Sequence, residues 1–127
     1  MNKPILAIAL AIATFFFAGC YNNNQQDLYP VPNGTVCDST NVTFTATIMP
    51  IMRTNCALAG CHNSATASNG YEFETYTGIN KAAINGKLLG GIRHQSGNIP
   101  MPLNTPMLDA CTISKVAHWV NAGAPNN

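Results

Sequence analysis

Charged residues are scarce in this chain. Only 9% of its 127 residues are charged, with six Lys and Arg, five Asp and Glu, and a formal net charge of +1. Proteins that bind nucleic acids usually carry a basic patch that neutralises phosphates, and the sequence contains no such patch. The composition therefore predicts no nucleic-acid partner, and a near-neutral chain gives no electrostatic indication of any other partner.

A long apolar run is also missing. The apolar stretch of residues 5–18 is interrupted only by Thr14 and is shorter than the about twenty residues that a membrane-spanning helix needs. Lys3 precedes this stretch and small residues end it, an arrangement typical of a secretory signal peptide. The sequence Phe17-Ala18-Gly19-Cys20 resembles the lipobox of bacterial lipoproteins. This resemblance implies that the signal is removed and that Cys20 is lipidated.

The chain then divides into three parts. Residues 1–19 are the predicted lipoprotein signal peptide, and residues 20–40 form a flexible tether and lead-in that is rich in Asn and Gln near its start. Residues 41–127 form one small domain. We therefore expect an exported protein that a lipid anchors to a bacterial membrane, facing the periplasm.

Hydrophobic periodicity predicts an all-α domain of about four short helices with long loops. Apolar positions recur at helical spacing over residues 42–52, and this helix should kink or restart at Pro50. The same analysis predicts two further helices, at residues 75–84 and 87–92. The last helix should begin after Asp109, an N-cap residue, and end before a glycine and a proline.

The sequence also contains signals for the ends of two helices and for one long loop. Asn41 or Thr43 should cap the first helix, and Gly90-Gly91 should stop the third. Residues 95–107 contain three prolines and no hydrophobic periodicity, so they form a long loop. A loop of this length in a small domain is usually functional.

The chain has five cysteines. With Cys20 assigned to lipid, the export signal places Cys37, Cys56, Cys61 and Cys111 in an oxidising compartment, where unmodified thiols do not persist. These four could form two disulfides, or one disulfide together with two thioether bonds to a haem.

The spacing of Cys56, Cys61 and His62 indicates a c-type haem site. In the common C-x-x-C-H signature, two cysteines form thioethers with the haem vinyl groups and the adjacent histidine binds the iron. Here four residues that are small or unbranched at Cβ separate the cysteines, and they can loop out. The motif predicts one covalent haem c, attached through Cys56 and Cys61, with His62 as an axial ligand.

Two other interpretations use the same residues. Cys56, Cys61 and His62 could bind zinc with His94 as the fourth ligand. Adjacent residues rarely both point at one tetrahedral ion, however, and thiolate zinc sites suit reducing compartments. Two plain disulfides would account for four cysteines but give His62 no role.

A second axial ligand is expected from the long loop. Met101 lies there between two prolines, which restrict the backbone and can present the thioether rigidly. Ligation by His and Met raises the potential of a haem. His94 is the rival for this position and Met107 a second methionine in reach, whereas Met49 and Met52 are predicted to be core residues.

The order of these motifs resembles small class I-like cytochrome c domains, and in particular the single-haem cytochrome lipoproteins of Bacteroidetes-type bacteria. The resemblance covers roughly residues 37–127. It implies a cytochrome c-like fold with terminal helices packed beside the haem, and Cys56, Cys61, His62 and Met101 as haem residues. The matching segments are Ile48-x-Pro50-Ile51, Gly60-Cys61-His62, Met101-Pro102 and Ile113-x-x-x-Ala117-x-Trp119-Val120-x-x-Gly123-Ala124-Pro125.

On this resemblance Cys37 and Cys111 remain, one before each terminal helix, and we hypothesise that they form a disulfide. With two axial ligands the iron has no open position, so we expect an electron carrier with redox protein partners, not an enzyme, and infer no small-molecule substrate. The alternatives are a haem-free structural lipoprotein stapled by disulfides, or a haem sensor or peroxidase with an open distal iron site.

Overall fold

The computed structural model describes residues 37–127, which form helices joined by long loops, with no strand in this range. The all-α class is therefore confirmed for this part of the chain. The predicted signal peptide, the lipidation site Cys20 and residues 21–36 of the tether lie outside the described residues. Within 37–127, no helix has both the length and the apolar character to cross a membrane.

The first helical region changes type along its length. A π-helical segment spans Phe44–Ile48 and continues directly as helix α1, Met49–Asn55. Pro50 lies in the first turn of α1, where the fixed φ of proline suits an α-helix. Thr43, and not Asn41, caps the region, because its hydroxyl oxygen accepts a backbone N–H at 3.2 Å. The predicted helix is confirmed, and its change of type falls at Met49, directly before Pro50.

Helices α2 (Tyr76–Ile84) and α3 (Lys87–Ile92) follow the predicted boundaries closely. The prediction that Gly90-Gly91 stops α3 was wrong, since both glycines lie inside the helix. They allow another segment to approach instead. A Cβ atom on Gly90 would lie 2.6 Å from the side chain of Asn98, so the long loop packs directly against the backbone of α3.

Helix α4 spans Ala110–Asn121 and is capped as predicted by Asp109, whose carboxylate accepts the N–H of Thr112 at 2.9 Å. Gly123 follows the helix with a φ of +90°, a conformation that favours glycine and ends the element. One face of α4 is buried in the core and includes Ile113, Val116, Ala117 and Trp119.

The core is formed by buried residues of the π-helical segment and of all four α-helices, and its aromatic part lies where the π-helical segment, α2 and α4 meet. The ring of Phe44 lies 5.0 Å from that of Tyr76 and 5.8 Å from that of Trp119. Trp119 is 1% exposed. Its indole donates to the carbonyl of Pro125 at 2.9 Å, and the Tyr76 hydroxyl donates to the carbonyl of Ala124 at 2.9 Å. These bonds fold the C-terminal residues back onto the core.

Cys37 and Cys111 form a disulfide, with 5.4 Å between their Cα atoms and a sequence separation of 74 residues. The hypothesised pairing is confirmed. The side chain of Asn127 accepts the N–H of Phe44 at 2.8 Å. The disulfide and this hydrogen bond thereby connect the first helical region with the start of α4 and with the last residues of the chain.

Candidate functional site

A cavity of about 620 Å³ opens between the end of α1, the loop that follows it, α3 and the long loop. This volume lies within the range of small-molecule and cofactor sites. Cys56, Cys61, His62 and Met101 all line it. The structure thus brings the four predicted haem residues to one cavity, although Met101 is distant from the others in the sequence.

The loop that carries the cysteines is compact. The N–H of Cys56 donates to the carbonyl of Met52 at 2.8 Å, so Cys56 is fixed to the last turn of α1. The N–H of His62 donates to the carbonyl of Cys56 at 3.2 Å and closes the loop. Gly60 has a φ of +78°, which a turn at this point requires. The four-residue spacer therefore loops out, as predicted, and returns Cys61 and His62 to the end of α1.

Both cysteines of this loop carry free thiols. Cys56 is half-buried and Cys61 is exposed. Burial raises the pKa of the Cys56 thiol to about 11, with a smaller contribution from the neighbouring Cys61. The Cys56 thiol is therefore protonated at neutral pH and is not a thiolate nucleophile. Of the disulfides in the alternative interpretation, only Cys37–Cys111 is formed among the described residues.

The imidazole of His62 is held on two sides. Its Nδ1 atom lies 3.0 Å from the carbonyl oxygen of Tyr71, so Nδ1–H must donate, because a carbonyl can only accept. Its ring stacks on the ring of Phe73 at 4.6 Å, and the N–H of Phe73 donates to the carbonyl of His62 at 2.7 Å. His62 is 8% exposed. In the neutral imidazole this tautomer leaves the lone pair on Nε2, the form in which histidine binds metals.

Sequence reasoning missed the contribution of Tyr71 and Phe73. The only signal was the spacing of the two aromatic residues, which places their side chains on the same side of an extended segment. This segment is held in turn by Glu74, whose carboxylate accepts the N–H of Ser64 at 2.7 Å. The same hydrogen bonds from Ser64 lower the pKa of the Glu74 carboxyl. The 3₁₀ turn Ser68–Gly70 connects the part of the loop that carries Cys61 and His62 to the part that carries Tyr71.

Met101 lies against the backbone of α3. Its N–H donates to the carbonyl of Gly91 at 3.1 Å, and a Cβ atom on Gly91 would lie 3.4 Å from the Met101 Cγ atom. Met107 is 46% exposed and is not among the residues that line the cavity. Met52 is fully buried and Met49 packs against the core, as predicted. Met101 is thus the methionine that the structure places at the cavity.

His94 does not line the cavity, and its Nε2 atom lies 3.1 Å from the carbonyl oxygen of Met101. Within residues 37–127, no three His, Cys, Asp or Glu side chains lie close enough together to hold a metal ion. The zinc ligand set of Cys56, Cys61, His62 and His94 is therefore not assembled in this range.

Polar side chains lie at the edge of the cavity. The Nζ atom of Lys87 lies 3.4 Å from the side-chain oxygen of Asn98, and both residues line the cavity. Sequence reasoning missed them, because they lie on different segments and neither belongs to a motif. The other polar lining residues include Asn55, Ser68 and Asn69.

Comparisons of the chain with known protein families, with curated proteins and with solved structures gave no match.

Proposed function

We propose that this chain is a monohaem c-type cytochrome, anchored to a membrane by lipid, that transfers single electrons between redox proteins. One observation carries the proposal: Cys56, Cys61, His62 and Met101 line a single cavity of about 620 Å³. Cys56 and Cys61 would form the thioethers, and His62 and Met101 would be the axial ligands. Haem, when bound, supplies the one-electron chemistry, and the protein holds and tunes it.

The residues of the cavity suit this group. Phe73, Leu88 and Ile92 are buried and give the cavity apolar walls, which fit the faces of a porphyrin. The ammonium group of Lys87 and the amide of Asn98 lie at the same cavity and could pair with the two carboxylates that haem carries. Both kinds of contact are needed for an amphipathic cofactor.

The state of His62 supports its role as a ligand. The bond from Nδ1 to the Tyr71 carbonyl favours the tautomer with its hydrogen on Nδ1, which leaves Nε2 to bind a metal. Stacking on Phe73 fixes the orientation of the ring. With Met101 as the second ligand the iron has no open position, which favours an electron carrier over a sensor or an enzyme.

The packing of the terminal helices supports the finer assignment of a cytochrome c-like fold. Phe44 of the first helical region contacts Trp119 of α4, so these two elements pack together. The resemblance of the sequence to small class I-like cytochrome c domains predicts the same arrangement. Export and lipidation at Cys20 complete the proposal, which places the domain at a bacterial membrane, facing the periplasm, with redox proteins as partners.

The proposal is tested by expressing the full chain together with haem maturation machinery and recording a pyridine haemochrome spectrum. We expect one haem per wild-type chain and none in the double variant Cys56→Ala/Cys61→Ala. The matched control Cys37→Ala/Cys111→Ala removes two cysteines outside the cavity and should keep its haem after denaturation. A wild-type chain without haem would show that the proposal is wrong.

A further inference from the structure

His94 lies just after α3, where the long loop begins, and its side chain returns to that loop. Its Nε2 atom lies 3.1 Å from the carbonyl oxygen of Met101. Because a carbonyl oxygen only accepts, Nε2 must carry the hydrogen and donate it. His94 therefore holds the main chain of Met101, the proposed axial ligand. The Nε2 atom of His94 is occupied by this hydrogen bond.

A second hydrogen bond holds the main chain of Met101 through its N–H group. The N–H groups of Met101 and His94 both donate to the carbonyl of Gly91, at 3.1 and 3.0 Å. The N–H of Met101 is thus tied to α3, and its carbonyl is tied to the residue that follows α3. The main chain of Met101 is fixed at both of its polar groups.

The backbone of His94 has an uncommon conformation. Its φ is +50°, in the left-handed region that is uncommon for residues other than Gly and in which Asn, Asp and His are enriched. Such conformations persist where the surrounding structure stabilises them. In this case the conformation is accompanied by the hydrogen bond to Met101, which gives a physical reason for histidine at this position.

On these contacts we infer that His94 is a positioning residue, which keeps the Met101 thioether at the haem iron by fixing the main chain of Met101. The inference rests on the proposed function. It also replaces the expectation that His94 competes with Met101 for the iron, because His94 lies outside the lining of the cavity.

The test is the affinity of the reduced protein for carbon monoxide, which binds only when the axial position opposite His62 is free. The apparent affinity rises with the fraction of molecules in which Met101 has dissociated. Loss of one hydrogen bond shifts such an equilibrium roughly 3- to 10-fold, so we expect His94→Ala to bind carbon monoxide more tightly by that factor. Met101→Ala should show a larger increase.

Three variants separate the hydrogen bond from the backbone effect. His94→Gln places an amide nitrogen close to the position of Nε2 and should restore wild-type affinity. His94→Asn tolerates the left-handed conformation but is too short to reach, so it should behave like His94→Ala. His118→Ala, which removes an exposed histidine on α4, is the control and should change nothing.

Covalent haem content, measured by intact mass, distinguishes the two levels of the proposal. A wild-type chain without haem overturns both the proposed function and this inference. If every variant carries haem and His94→Ala and His94→Asn bind carbon monoxide like the wild type, only the positioning role is wrong. The positioning role is also wrong if His94→Gln behaves like His94→Ala, or if Met101→Ala leaves the affinity unchanged.

Discussion

Two residues at the cavity, His62 and Met101, are each held by contacts that lie outside the sequence motif. The imidazole of His62 is fixed by the carbonyl of Tyr71 and the ring of Phe73. The main chain of Met101 is fixed by Gly91. An axial ligand that is ordered before binding loses little conformational freedom when it binds, which favours a stable site.

Replacement of Met101 should change the potential of the cofactor without releasing it. We expect Met101→Ala to keep covalent haem and to lower the reduction potential by on the order of a tenth of a volt, within the about 0.8 V that axial ligands span. Met107→Ala, an exposed methionine of the same segment, is the control and should keep the wild-type potential. Equal potentials for Met101→Ala and the wild type in a redox titration would contradict the assignment.

The sequence predicts some of these residues and not others, for a physical reason. Cys56, Cys61 and His62 are neighbours in the chain, so a haem site can be proposed from their spacing alone. Met101 was predicted because prolines flank it. The contacts of Tyr71 and Phe73 with His62 depend on how the loop folds back, and no local pattern reports that.

At the scale of elements, helix boundaries were predictable wherever a local signal set them. Thr43, Thr75 and Asp109 cap the helices that they precede through side-chain bonds to backbone N–H groups of the first turn. Gly90 and Gly91 were misinterpreted as a stop signal. Their role is to admit the long loop, which is a tertiary contact and leaves no trace in helical periodicity.

Asp109 should make the stability of α4 depend on pH. Hydrogen bonds from Thr112 lower the pKa of its carboxyl in the folded protein. The stabilisation by the Asp109 cap is therefore complete above the ordinary pKa of an aspartate, about 4. It is lost as the pH falls through the lowered pKa of Asp109 in the folded protein. Asp109→Ala should cost about 1 kcal/mol at neutral pH.

The measurement is urea denaturation of the wild type, Asp109→Ala and Asp109→Asn between neutral pH and about pH 2. Asparagine caps nearly as well as aspartate but does not titrate, so Asp109→Asn is the matched control. We expect the wild type to lose stability relative to Asp109→Asn in acid. Parallel curves for these two proteins would refute the prediction.

Gly78 of α2 lies directly against the backbone of Glu72. Glu72 stands between Tyr71 and Phe73, the two residues that hold His62. A Cβ atom on Gly78 would lie 1.8 Å from the carbonyl oxygen of Glu72, so a side chain cannot be accommodated without moving that backbone. We expect Gly78→Ala to destabilise the domain by about 2 kcal/mol or more. Thr77→Ala, at an exposed neighbouring position, should have little effect. Equal unfolding midpoints for the two variants would contradict this close contact.

At the scale of the whole molecule, a small domain with few charged residues and long loops is held by links between distant segments. The Cys37–Cys111 disulfide joins the residues before the first helical region to α4. The bonds of Trp119 and Tyr76 hold the C-terminal residues on the core. A covalent haem would add a further link between the end of α1 and the long loop.

Removal of the disulfide should lower stability without removing the cofactor site. The variant Cys37→Ala/Cys111→Ala should lose about 4 kcal/mol of unfolding free energy, because the cross-link closes a long loop in the unfolded chain. A thiol assay on the denatured, unreduced wild-type protein should find neither Cys37 nor Cys111 reactive. Detection of both thiols would show that the disulfide does not form.

The account depends most on covalent attachment of haem, and intact mass tests this directly. The wild-type chain, expressed with haem maturation machinery, is denatured and weighed without reduction. We predict that the mass of the wild type exceeds that of Cys56→Ala/Cys61→Ala by one haem, after allowance for the two substitutions, because any processing and lipidation at Cys20 are common to both proteins. A wild-type chain that carries no added haem under conditions that mature a known c-type cytochrome would contradict the account.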